Sequence, residues 1–132
     1  MTSTNLNLGA WLQNIDALVA ALLDTPSDER RLMAQAYFEH WASEPAPWAG
    51  DVWKAMGSLC ERVAATSDGL LDAIAAGHDP HHALTVRAVN TYDLRRAVRQ
   101  LSASQRRNLA RGLRRLSDPH GVHGALADVV AP

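Results

Sequence analysis

Two kinds of side chain in this sequence could do chemistry by their type and spacing, the histidines and the arginines. Five of the six histidines fall in two short runs, His78, His81 and His82, then His120 and His123. Imidazole nitrogens suit zinc, copper or nickel. Three of them around an open position would make a catalytic type of metal site. The spacing argues against that. Gly77 and Asp79-Pro80 separate the first run from any single helix face, and Gly121 does the same to the second. Neither run reads His-Glu-x-x-His, and a single cysteine offers no thiolate pair. Histidines in polar helix-start loops are therefore expected, with no metal and no cofactor. A helix N-terminus beside them should resist their protonation, because its dipole disfavours a cation. His40 stands apart and reads as a packed histidine at the rim of an apolar face.

Other catalytic arrangements are missing from the pattern. There is no glycine-rich phosphate loop and no Gly-x-Ser-x-Gly elbow. Carboxylates are spread singly along polar faces. Cys60 shares a helix side with Met56, Leu59 and Val63 and reads as a small buried hydrophobe. No basic neighbour at helical spacing would make it a thiolate. The expectation is a protein that is not an enzyme.

The arginines carry a stronger pattern. Thr91 to Leu116 holds eight of them against one acid, Asp93. Leu94, Val98 and Leu101 follow the i, i+4, i+7 rule of an amphipathic helix, and Leu109, Leu113 and Leu116 repeat it. Arg95, Arg96 and Arg99 fall on the flank and far side of the first stripe. Arg107, Arg111 and Arg114 lie opposite the second, with Arg115 beside them. Between the halves, Ser102-Ala-Ser-Gln105 is a capping box that restarts the helix. Residues 91–117 thus predict a pair of short helices, each apolar on one side and cationic on the other.

Guanidinium groups bind carboxylate or phosphate through two donors at once. Those seven arginines are the expected partner-binding set, and an acidic protein surface is the expected partner. Nucleic acid is the alternative, through sequence-neutral phosphate contact. A helix-turn-helix reading head does not fit. With Ala97 as its packed alanine, the turn position is Leu101 rather than glycine and the inner position is Arg107. A histidine metal protein is the reading left behind these two.

The net charge of −1 hides an asymmetry. Residues 1–80 carry eleven acids and four bases; residues 81–132 carry three acids and nine bases. Such halves suit a polyanionic partner or pairing with each other, within one chain or in a homo-oligomer. Twelve of the thirteen cationic side chains are arginine, as GC-rich bacterial or phage coding would also give.

The elements that must position these groups are helical. Alanine and leucine are abundant and β-branched runs are few. At 132 residues the chain predicts one all-α domain, a compact bundle of five to seven short amphipathic helices with residues 1–5 frayed. A first helix is expected over 8–23. Thr25-Pro26 starts a second, with Leu32, Met33, Ala36, Tyr37 and Trp41 as its inner face. Pro45 and Pro47 end it and hold an extended segment. Asp51 opens a third, to Ala65. Ser67-Asp68 caps a short fourth ended by Gly77, and Asp79-Pro80 starts a fifth. Asn90-Thr91 caps the arginine pair, Asp118-Pro119 stops it, and a last helix covers 124–130.

Trp41, Trp48 and Trp53 crowd into thirteen residues. Burial of Trp41 and Trp53, with Trp48 pinning the loop, is the expected arrangement. The alternative is Trp48 as an aromatic anchor at an interface. The longest apolar run, Ala17 to Leu23, is too short to cross a membrane. No signal peptide is visible, and the lone cysteine suits a reducing cytoplasm. These readings converge on a small cytoplasmic interaction or regulatory protein.

Overall fold

The structure, a computed structural model, describes residues 8–43, 47–77 and 91–132; the side chains of residues 8, 41, 47 and 64–71 are outside the description. Six helices form these residues: α1 Leu8–Asp24, α2 Ser27–Ser43, α3 Pro47–Ala75, α4 Tyr92–Arg99, α5 Ala103–Arg114 and α6 Val122–Val130. The expected all-α bundle is what the chain forms.

The core is built around α6. Val122, Leu126, Ala127, Val129 and Val130 are all buried, because α1 packs on one side of α6 and α5 on another. From α1 come Trp11, Leu12, Ile15, Leu18 and Leu22, the 3.6-period stripe that the sequence predicts. Leu23, counted in that stripe, is exposed. α4 adds Leu94, Ala97 and Val98, and Leu101 follows it into the core. The α2–α3 pair closes the other side, and α4 rests on α3.

The junctions show which local signals decided the chain's path. Thr25 does not cap forward. Its hydroxyl donates back to the Ala21 carbonyl at 2.8 Å, and Arg30 Nη1 donates to the Leu22 carbonyl at 3.2 Å. Both satisfy the C-terminal carbonyls of α1. Ser102 does cap α5 as predicted. Its hydroxyl accepts from the Gln105 amide at 3.1 Å, and its own amide donates to Gln105 Oε1 at 2.9 Å.

α3 departs most from expectation. It is one helix of 29 residues, where the sequence suggests an extended segment at Pro47, a start at Asp51 and a break at Ser67-Asp68. Proline's fixed φ suits the first helical turn, so Pro47 begins the helix instead of prolonging the loop. Serine and aspartate favour caps but cost little inside a helix, so that cap signal permits a start without forcing a stop. The helix ends where predicted, at Gly77, whose φ of +78° is a left-handed conformation that glycine adopts without strain. The bundle's helices are thus not all short.

Within α3, Gly57 serves α2. The Phe38 ring lies over it so closely that a Cβ there would meet ring carbons at 3.0 Å. α6 begins at Val122, two residues earlier than expected. Asp118 accounts for this: its carboxylate accepts from the His123 and Gly124 amides at 3.0 and 2.7 Å, and Gly121 turns the chain at φ +77°. Among the described residues no helix is long and apolar enough to cross a membrane. Pro45, the Asp79-Pro80 start, and His78, His81 and His82 lie outside the described residues.

Candidate groove between α2 and α5

The predicted inner face of α2 is only partly inside. Tyr37 is buried and Met33 half-buried, but Leu32 is 64% exposed and Ala36 is exposed. Leu116, the last leucine of the predicted α5 stripe, is 46% exposed, because the helix has already ended at Arg114. These residues face one another across an open groove of ≈ 750 Å³. Leu32, Met33, Ala36 and His40 of α2 form one wall, and Asn108, Leu109, Gly112 and Leu113 of α5, with Leu116 beyond its end, form the other. Trp48 and Trp53 of α3 and His123 of α6 complete the lining. Its volume is in the range of specific ligand and partner sites.

The aromatic floor is ordered by stacking. Tyr37 and Trp53 lie 5.9 Å apart and near parallel, and His40 sits 5.5 Å from Trp53. Trp53 is half-buried, a groove residue rather than the core tryptophan expected. Trp48, also half-buried, stands in the first turn of α3 and not in a loop. It lines the groove. The side chain of Trp41 is outside the described set. His40, expected as a packed histidine, is exposed on the groove wall.

One polar pair marks the floor. The Tyr37 hydroxyl and His123 Nδ1 are hydrogen-bonded at 2.7 Å. Burial pushes the Tyr37 phenol up from its ordinary value. Burial also holds His123 below the ordinary imidazole value, against the opposing pull of Asp118. A neutral His123 leaves Nδ1 free to accept from the phenol. At the rim, His120 Nε2 bonds Glu29 Oε2 and ties the α5–α6 link to α2.

The arginines are divided. Arg96 shares a shallow depression with Asp51, Lys54 and Asp93 on the α3–α4 side. Arg95 is half-buried and Arg99 exposed. Arg107, Arg111, Arg114 and Arg115 surround a second depression with Ala131 and Pro132. The seven therefore do not form one cationic face. Arg114 pairs with Asp128 at 2.9 Å. Around α5, at about 100° per residue, Arg115 and Arg111 follow directly on Asn108 and Gly112. By that spacing they sit on the α5 face next to the Asn108 edge of the groove, while the depression they line is the one beside Ala131 and Pro132.

Arg106, the eighth arginine, is inside. It is 3% exposed, and its Nε and Nη2 donate to the Val130 and Ala131 carbonyls, both at 2.7 Å. It caps the end of α6, as a cation suits that end of a helix. Its helical position gave the signal, three residues before Leu109 and seven before Leu113, within the apolar arc.

Cys60 is buried, and burial pushes its thiol up to about 12, which keeps it an unreactive neutral group. Among the described residues no three of histidine, cysteine, aspartate or glutamate converge as metal ligands would. The chain matches no protein-family model, no curated protein and no solved structure.

Proposed function

We propose that this protein is a non-catalytic binding module, one that takes an amphipathic helix of a partner protein into the α2/α5 groove. Such a groove, mainly apolar with Glu29, Asn108 and Ser117 also lining it and walled by two helices, suits the apolar face of a third. The observation that carries the reading is the exposure of large apolar side chains along this groove. Leu32 and Leu116 are exposed on its walls, and helical spacing sets Arg111 and Arg115 on the α5 face next to it. Arginines at i, i+4 on one helix repel each other, and Arg107, Arg111 and Arg115 stand at that spacing on α5 and its C-cap. Acidic residues on the flank of a bound helix would relieve that repulsion.

Calorimetric titration tests this. The probe is a synthetic helical peptide with leucine at i, i+3, i+4 and i+7 and glutamate on its other faces. Its twin carries arginine in place of each glutamate. The glutamate peptide should bind saturably, more weakly as salt rises, and should lose binding to Leu32→Asp. Equal binding of the twins, or no binding of the glutamate peptide at low salt, overturns the reading.

A further inference from the structure

The arginines of α5 gather where those of α4 do not. Counted at about 100° per residue, Arg107, Arg111, Arg114 and Arg115 fall within an arc of about 100°, over roughly 12 Å of helix axis. They surround a depression of ≈ 400 Å³ whose remaining lining is Ala110, Ala131 and Pro132. Among the described residues no carboxylate and no aromatic ring lines it. The one ion pair these four make among the described residues is that of Arg114 with Asp128 at 2.9 Å.

A fifth arginine holds the opposite wall. Arg106 is 3% exposed and donates to the Val130 and Ala131 carbonyls, both at 2.7 Å, so the chain beyond α6 is fixed against α5. The C-terminal end of a helix repels an anion. Here that end already carries a guanidinium, which offsets its partial negative charge. Arginines at i, i+3 or i, i+4 repel each other, as Arg107 and Arg111, Arg111 and Arg114, and Arg111 and Arg115 must. An anion touching several of them at once removes that cost.

We infer that this depression binds a compact polyphosphate group, a short chain of phosphates either free or carried on a small molecule. Guanidinium meets phosphate through two parallel donors, and four guanidinium groups around one depression match a ligand that concentrates several charges in a small volume. A nucleic-acid strand fits less well. It calls for a basic track along its backbone and aromatic platforms for its bases. The depression offers no ring, and Arg96, on the α3–α4 side, lies among Asp51 and Asp93. An acidic helix calls for apolar surface under its other face, and the lining supplies two alanines and a proline. The inference goes beyond the groove reading and stands without it.

Calorimetric titration with inorganic tripolyphosphate at low salt is the test. Binding should be saturable and one-to-one. Arg111→Gln/Arg115→Gln should weaken it about tenfold, as loss of charge-assisted bonds does. Arg31→Gln/Arg99→Gln removes the same charge from α2 and α4 and should change it by no more than about twofold, because salt screens distant exposed charges. Circular dichroism checks that both variants keep their helices. Adenosine triphosphate separates the two sources. Affinity equal to that of tripolyphosphate means that the chain of phosphates alone is read, and higher affinity means one carried on a nucleotide. Absence of tripolyphosphate binding overturns the inference. So does orthophosphate that binds as tightly, since one phosphate would then suffice, or an equal loss in the two variants. A hexaglutamate peptide or a short DNA duplex that binds more tightly than tripolyphosphate overturns it too, and assigns the surface to an acidic protein or to nucleic acid.

Discussion

α2 has two sides, and the chain treats them differently. Toward α3 the surfaces are matched: Phe38 fills the space over Gly57, and Ala34 and Tyr37 are buried. Toward α5 the same helix offers Leu32 and Ala36 to an open groove whose other wall holds Gly112 and Leu116. Similar residue types line both sides, and only one is used up by folding. The α1–α6 seam resembles the first case, with Ile15, Leu18, Val122, Leu126 and Ala127 at essentially zero exposure. That contrast between a filled and an open side is what the proposed binding at the α2/α5 groove rests on.

Substitutions on the two kinds of surface should separate widely. Leu126→Ala, in the α1–α6 seam, should cost about 2–5 kcal/mol in urea unfolding. Leu32→Ala, on the groove wall, should stay within about 0.5 kcal/mol. A comparable loss at Leu32 would mean that the groove is closed by the chain itself. The arginines give the next contrast. Arg106→Ala should cost roughly 1.5–3 kcal/mol, because two charge-assisted bonds to buried carbonyls are lost. Arg107→Ala should be close to neutral.

The two glycines come third. Gly57→Leu forces its side chain into Phe38 and should destabilise by about 1–3 kcal/mol. Gly112→Ala should stabilise by up to about 1 kcal/mol. Melting temperatures that move in the same direction would erase the distinction between a packed glycine and an open one. The smallest effect belongs to the floor of the groove. His123 is held below its ordinary value by burial, so the unfolded chain takes up its proton first as pH falls. That contribution is fully present above the ordinary imidazole range and is lost as pH drops through it toward the lower folded value. His123→Asn should flatten this part of the stability profile between about pH 8 and pH 5, without changing its sign elsewhere.

Much of the fold could be read from spacing. The stripe Leu94, Val98, Leu101 and the Ser102–Gln105 capping box hold because each rests on residues within one helix or one junction. The continuous α3 could not be read so directly, since Ser67-Asp68 is compatible with both a cap and a helix interior. The groove was hidden for a different reason. Periodicity shows that Leu32, Ala36 and Leu116 are on apolar faces, but not whether another element covers those faces. That depends on how α2, α3, α5 and α6 meet. The arginines mislead in the same way: eight in one stretch suggest a single cationic surface, yet α4 rests on α3, α5 rests on α6, and Arg106 turns inward.

Amide chemical-shift mapping with the glutamate peptide tests the central claim most directly. The account predicts shifts concentrated at Leu32, Ala36, Asn108, Gly112 and Leu116, with Trp48 and Trp53 side-chain signals moving with them and α1 unchanged. Shifts centred instead on Arg95, Arg96 and Arg99, or spread over every exposed arginine with the groove silent, would contradict it.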